Sequence, residues 1–256
     1  MQHFPLSWLR GRGLRLGLRK VLDSFRLPQA EGLTLSERLR IFRRIAPISW
    51  RLYPALPPHW DHQIYVFLDA VFALKPEDVP GVIVEAGCFQ GVGTAKISHI
   101  AAFTGRRLVA FDSFQGLPPN EEPHERSIQG HSVEGWFREG NYAASLQLVE
   151  ANVAKFGRPD VVSYVPGWFD ETMCEFDSPV AAAYLDVDLA SSTRTCLKYL
   201  WPLLSPGGVL VSQDGDFPLV IEVFQDDSFW RDELRCARPP MEGLGTSKMV
   251  MLRKRV

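Results

Sequence analysis

Two apolar rhythms alternate along this chain. Short unbroken runs at 82–84, 106–112, 161–165, 180–188 and 209–212 read as strands, the first and fourth buried on both faces, and 246–253 reads as a terminal strand. Between them apolar residues recur at helical spacing: Ala95, Ile97, Ile100 and Ala101 after the first run, then the stretches 143–156, 191–204 and 219–232. Ahead of the first strand, Leu35, Leu39, Phe42 and Ile45 form one stripe over 34–46, with Thr34 or Ser36 as its N-cap. Pro47, Pro54, Pro57 and Pro58 are expected to break that helix before a second one at 61–74. Strand and helix in alternation predict a doubly wound, parallel α/β sheet preceded by a helical cap.

Polar residues collect where the strands end. The first run stops at Glu85, and glycines follow at 87, 91 and 93 before the helical spacing begins. Strand, glycine-rich turn and helix let a backbone approach a ligand closely beneath a helix N-terminus. The spacing is G-x-x-x-G-x-G with an acid two residues before the first glycine, not the G-x-G-x-x-G of a dinucleotide turn. It resembles motif I of the class I S-adenosylmethionine-dependent methyltransferases; the bland alternative is a tight strand-to-helix connection. Asp112 ends the second strand 25 residues after Gly87, near the roughly 20 expected of a carboxylate that grips a ribose diol. Gly167-Trp168, Asp186/Asp188 and Gln213/Asp214/Asp216 mark three further strand ends, and ligands of open α/β sheets bind outside such ends.

Composition narrows the class without changing it. A chain of 256 residues with 46% hydrophobic and 23% charged residues suits one large α/β domain with an appendage. No apolar run reaches the ~20 residues of a membrane span. Cys88, Cys174, Cys196 and Cys236 lie far apart with no metal-finger spacing, which suits reduced thiols in a cytoplasmic protein. Positions 1–51 hold eleven Lys and Arg against three Asp and Glu, a local +8 that leaves −10 elsewhere in a chain of net charge −2. Such a start can lie on an anionic membrane surface. Gly11, Gly13 and Gly17 weaken any helix there by roughly 1 kcal/mol each, which favours an arm packed on the body or on a second subunit of a homo-oligomer.

Five successive segments, V-E-A-G-C-F-Q-G, F-D-S-F-Q-G-L-P-P, P-G-W-F-D-E-T, L-D-V-D-L-A-S-S-T and L-S-P-G-G-V-L-V, resemble the motifs of the macrocin/mycinamicin O-methyltransferases across about residues 78–216. That resemblance implies a seven-stranded sheet, S-adenosylmethionine as methyl donor and a Mg²⁺ ion that orients an acceptor hydroxyl on a sugar or glycosylated natural product. It implies that Glu85, Ala86, Gly87, Phe89, Gln90, Gly91 and Thr94 line the cofactor's methionine and ribose side. Asp112 would take the ribose hydroxyls with Ser113 beside it, and Gly167 and Trp168 would flank the adenine. Asp186 corresponds to the family's catalytic carboxylate, a base and metal ligand. The family's Asp-Asp pair after the fifth strand is Gln213-Asp214 here, so the implied ligand set is Asp186, Gln213 and Asp214, one charge short, with Asp188 or Asp216 as candidates to make it up.

These readings divide the chain into a basic arm and helical cap at 1–60 and a catalytic domain at 61–256. A polar stretch at about 113–142 would serve as a lid over the site. Its His124 and His131 are alternative bases or plain solvated histidines. No nucleic-acid partner is expected. Two rivals to the methyltransferase reading are an NAD-dependent oxidoreductase, which the glycine spacing opposes, and a degenerate fold that binds without turnover, which Gln213 suggests.

Overall fold

The computed structural model describes residues 34–52 and 61–255. The basic arm of residues 1–33 and the proline- and aromatic-rich linker of 53–60 lie outside the described residues. Thr34 opens helix α1 (Leu35–Leu52) with a reciprocal cap: its Oγ1 accepts the Glu37 N–H at 3.3 Å, and Glu37 Oε2 accepts the Thr34 N–H at 2.9 Å. The helix does not stop at Pro47 as its sequence predicts. An interior proline costs about 3 kcal/mol, and burial of Ile41, Ile45 and Ile48 opposes that cost while Ser49 accepts a 2.6 Å hydrogen bond from Lys96. Helix α2 (Asp61–Phe72) follows.

Then come β1 (Val82–Ala86), α3 (Val92–Phe103), β2 (Leu108–Asp112), α4 (Leu146–Phe156), β3 (Val162–Pro166), the one-turn α5 (Phe169–Thr172), β4 (Val180–Leu185), α6 (Ala190–Leu203), β5 (Leu204–Ser212), α7 (Pro218–Gln225), β6 (Met241–Glu242) and β7 (Val250–Arg253). The seven strands form one sheet in the order β3-β2-β1-β4-β5-β7-β6. The first five run parallel, and β7 runs antiparallel between β5 and β6. The sheet is therefore mostly parallel. Successive residues of a strand face opposite sides, so Ile83, Ala182, Val209 and Val211 join α1, α2, α3 and α4 in one core. Val84, Ala183 and Leu210 join α6 and α7 in the other.

Three boundaries differ from the sequence reading. The Ser205–Gly208 turn is absorbed into β5, where the pairing with β4 shifts register between Val180 and Ala182. The helix expected at 219–232 divides at Asp226, whose Oδ1 accepts the N–H groups of Ser228 and Phe229, each at 3.0 Å. The short β6 had no counterpart among the apolar runs. Strand order reverses at β1, whose neighbours β2 and β4 lead away on either side, and that is where an open sheet forms its ligand crevice.

Candidate active site

The crevice is a cavity of about 790 Å³ at the carboxyl ends of the strands. β1 carries Glu85 into it from within the strand, paired in register with Ala110 and Tyr184 and 1% exposed. Burial pushes this carboxyl up to about 8, and the charges of Asp186 and Asp112 act in the same direction. Its Oε2 and the Thr94 hydroxyl are buried with no hydrogen-bond partner among the described residues. A Cβ at position 93 would meet Glu85 Oε1, so glycine lets α3 start over the carboxylate without displacing it. Gly91 opens that helix in the left-handed region, φ 80°, and no side chain caps it. The positive end of the helix dipole is thus left at the turn.

Asp112, at the end of β2, is the hub of this turn. Its Oδ2 accepts the N–H groups of Cys88 at 2.6 Å and Phe89 at 3.3 Å, and its Oδ1 accepts that of Phe114 at 2.7 Å. Burial raises the carboxyl and the three N–H groups oppose the rise. Ser113, expected beside it, turns its hydroxyl to the Gly116 carbonyl at 2.9 Å. From β3, the Gly167 N–H donates to the Asp112 carbonyl at 3.0 Å, and Trp168 lines the cavity.

Across the crevice, Asp186 follows β4 and Asp214 follows β5. The structure brings these two together with Asp188: one carboxylate oxygen from each lies within 4.8 Å of the others. Gln213, expected as a ligand beside them, donates its amide N–H to Asp186 Oδ1. The third carboxylate is Asp188, held in the left-handed region at φ 61°. Asp214 is fully buried; its Oδ2 accepts the N–H groups of Val187 and Asp188, both at 3.0 Å, and its Oδ1 has no hydrogen-bond partner among the described residues. Burial pushes Asp214 up to about 7, with the Asp186 charge adding to the rise.

The connection between β2 and α4 covers this end of the cavity. Arg126 and Ser132 form its one isolated bridge, and Leu117, Val133 and Phe137 are buried within it. His124 is not a solvated loop residue: it packs edge-on against Phe137 and Phe217 and donates or accepts at 2.8 Å with Glu122. Glu122 in turn accepts the N–H groups of Ala190 at 2.7 Å and Ser191 at 2.8 Å, capping α6 from a distance in sequence. Burial alone would raise Glu122, but bonds from His124, Ser191 and Ala190 bring it down to about 2. Trp136, 40% exposed, and Tyr142 stand on the cavity wall with Phe89. Neither Glu122 nor Lys248, another residue of the cavity wall, was singled out by the sequence. Both lie in segments without a motif, and only the fold gives them a place.

A mostly parallel seven-stranded sheet with an antiparallel β7, a glycine-rich turn after β1 and an acid after β2 defines a Rossmann-like fold of the class I methyltransferase type. The chain belongs to the macrocin O-methyltransferase (TylF) family, whose model matches residues 62–238. It is 33% identical over 147 residues to the 8-demethyl-8-(2,3-dimethoxy-alpha-L-rhamnosyl)-tetracenomycin-C 4'-O-methyltransferase of Streptomyces olivaceus, covering 54% of each chain. It is 28% identical over 160 residues to the mycinamicin III 3''-O-methyltransferase of Micromonospora griseorubida, covering 59% of this chain and 61% of that one. The matches thus span less than two thirds of these relatives' length. The solved structure of the O-methyltransferase NovP shares the fold with a TM-score of 0.64 at 19% identity, over 96% of this chain and all of that one.

Proposed function

We propose that this protein transfers the methyl group of S-adenosylmethionine to a hydroxyl of a glycosylated small molecule. The observation that carries the reading is the meeting of the glycine-rich turn with Asp186: the Asp186 N–H donates to the Ala86 carbonyl at 2.9 Å, so a cofactor turn and a reactive carboxylate share one edge of the cavity. The residues fit the cofactor, because Glu85 and Thr94 leave buried polar atoms unsatisfied beneath a helix start that no side chain caps. Glu85, Ala86, Gly87, Phe89, Gln90, Gly91 and Thr94 would hold its methionine and ribose side, Asp112 and Ser113 the ribose, and Gly167 and Trp168 the adenine. S-adenosylmethionine supplies, when bound, a methyl already activated by its sulfonium sulfur.

What this chain adds is alignment and proton removal. An alcohol is a weak nucleophile near neutral pH, and Asp186 is the base that takes its proton. Gln213 orients that carboxylate through its amide. The 113–142 connection acts as the cover that excludes water, and Trp136, Tyr142 and Phe89 offer aromatic faces to a sugar ring and its aglycone. The carboxylates of Asp186, Asp188 and Asp214, hard oxygen donors around a buried unpartnered oxygen, also fit a Mg²⁺ ion. Such an ion supplies, when bound, Lewis-acid polarisation of the acceptor hydroxyl.

Calorimetry with S-adenosylhomocysteine and mass-spectrometric assay against a panel of glycosylated acceptors test this reading. Binding is expected in the micromolar range, and Asp186→Asn should keep it while losing about 10²–10⁴-fold in turnover, the usual worth of a general base. Binding of NAD without binding of S-adenosylhomocysteine overturns the assignment.

A further inference from the structure

We propose that the hydroxyls of Ser192 and Thr195 form the edge that reads the acceptor's sugar, so that the substrate is a sugar keeping a free hydroxyl beside the one methylated. Both residues stand on the cavity wall from α6, at a spacing that puts them on one face of that helix. A helical serine or threonine commonly returns its hydroxyl to the carbonyl one turn back. Thr193, between them, does so: it is fully buried and donates to the Leu189 carbonyl at 2.9 Å. Ser192 and Thr195 do not, and neither hydroxyl has a hydrogen-bond partner among the described residues. Ser192 is only 8% exposed. A polar group that buried is normally paired, and the cavity is the space beside it where a partner can stand.

The position of α6 decides which part of a ligand meets these groups. The helix opens at Ala190, on the segment that leaves Asp186, the base of the proposed reaction. Its first N–H groups, those of Ala190 and Ser191, are held at 2.7 and 2.8 Å by Glu122 from the connection that covers the cavity. The start of α6 therefore lies between the acid cluster and the cover, which is where an acceptor has to sit. The cover contributes Pro118, Trp136 and Phe137 to the same cavity, so an apolar surface accompanies the hydroxyl-bearing one. A pyranose has matching surfaces, with hydroxyls around its edge and C–H groups on its faces. With one hydroxyl at Asp186, a neighbouring hydroxyl falls to α6. A site that hydrogen-bonds a substrate hydroxyl rejects the analogue lacking it. The inference rests on the reading of this cavity as a sugar O-methyltransferase site and deepens it.

The experiment is a saturation-transfer NMR titration of methyl hexopyranosides, each beside its monodeoxy analogues, into protein loaded with S-adenosylhomocysteine. The wild type is expected to bind a parent glycoside about threefold to tenfold more tightly than a deoxy analogue, the worth of one hydrogen bond. Thr195→Val and Ser192→Ala, which remove a hydroxyl and little else, should each bind parent and analogue alike. Their affinity for S-adenosylhomocysteine, read by calorimetry, should match that of the wild type. Undiminished discrimination in either variant overturns the proposal, as does a wild type that binds no glycoside or does not discriminate. Weakened S-adenosylhomocysteine binding by the variants also overturns it, because the hydroxyls then serve the cofactor. Should Ser192→Ala not fold, Thr195→Val at its half-buried position decides alone. Failure of the wild type to bind S-adenosylhomocysteine sinks the underlying methyltransferase reading; failure of the glycoside series alone sinks only the part given to these hydroxyls.

Discussion

Gly87 and Asp186 compete for one volume: the main-chain carbonyl oxygen of Asp186 lies where a Cβ on residue 87 would stand, and Gly87 itself sits at φ 88°. The turn after β1 and the loop after β4 are thereby packed backbone to backbone, with the Gly87 N–H donating to the Phe111 carbonyl at 3.0 Å. Gly87→Ala is expected to destabilise the protein by at least about 2 kcal/mol, since it combines a strained φ with a clash against main chain. Urea denaturation measures the loss. In any folded fraction, turnover should fall more than S-adenosylhomocysteine affinity, because Asp186 is the group displaced.

Asp112 holds three N–H groups of the turns around it, so its loss should be visible without any ligand. Hydrogen bonds to a charged acceptor are worth about 1.5–3 kcal/mol each at most. Asp112→Ala is expected to lower the melting temperature by several degrees and to weaken S-adenosylhomocysteine binding at least about tenfold. A variant that loses affinity with an unchanged melting temperature would show that the carboxylate contacts ligand only and does not organise the turn.

Glu85 sets a pH dependence of unusual sign for a carboxylate. Its folded-state value of about 8 lies above the ordinary 4.5, so the native state holds this proton more tightly than the unfolded chain does. Its contribution is most favourable below pH 4.5 and is lost progressively as pH rises through 8. Glu85→Gln removes that dependence, and the variant should gain on the wild type in denaturation midpoint between pH 6 and pH 8.5. A constant difference over that range would mean that Glu85 is ionised in the folded protein throughout.

Glu122 works in the opposite direction. Its value of about 2 is depressed, so the stability it gives α6 and the covering connection is present above pH 4.5 and is lost as pH falls through 2. Glu122→Gln is expected to cost about 1–2 kcal/mol at pH 7, the worth of a charged cap in a partly buried setting. The gap from wild type should close as denaturation is repeated at pH 4 and pH 3.

Much of this molecule can be read from its residues, and the limits fall in definite places. The parallel strands are legible because burial on both faces forces unbroken apolar runs such as Val180–Leu185. The site is legible because Glu85, Asp112 and Asp186 interrupt apolar surroundings with charge. Pro47 is misleading because local helix cost is outweighed by burial of Ile45 and Ile48, which only the packed sheet provides. β6 is two residues long and leaves no period to detect. Glu122 on the α6 N-terminus and Lys248 on the cavity wall both depend on a register or crossing that joins residues far apart in sequence. Spacing carries no trace of them.

The antiparallel placement of β7 also bears on the order in which the protein is made. Residues 82–212 contain every parallel strand, yet β5 keeps an open edge until residues 250–253 have left the ribosome and slipped in between it and β6. Lys248, which leads into β7, takes its place on the cavity wall only with that strand. The crevice laid down by the parallel strands is thus finished only by the last strand in chain order.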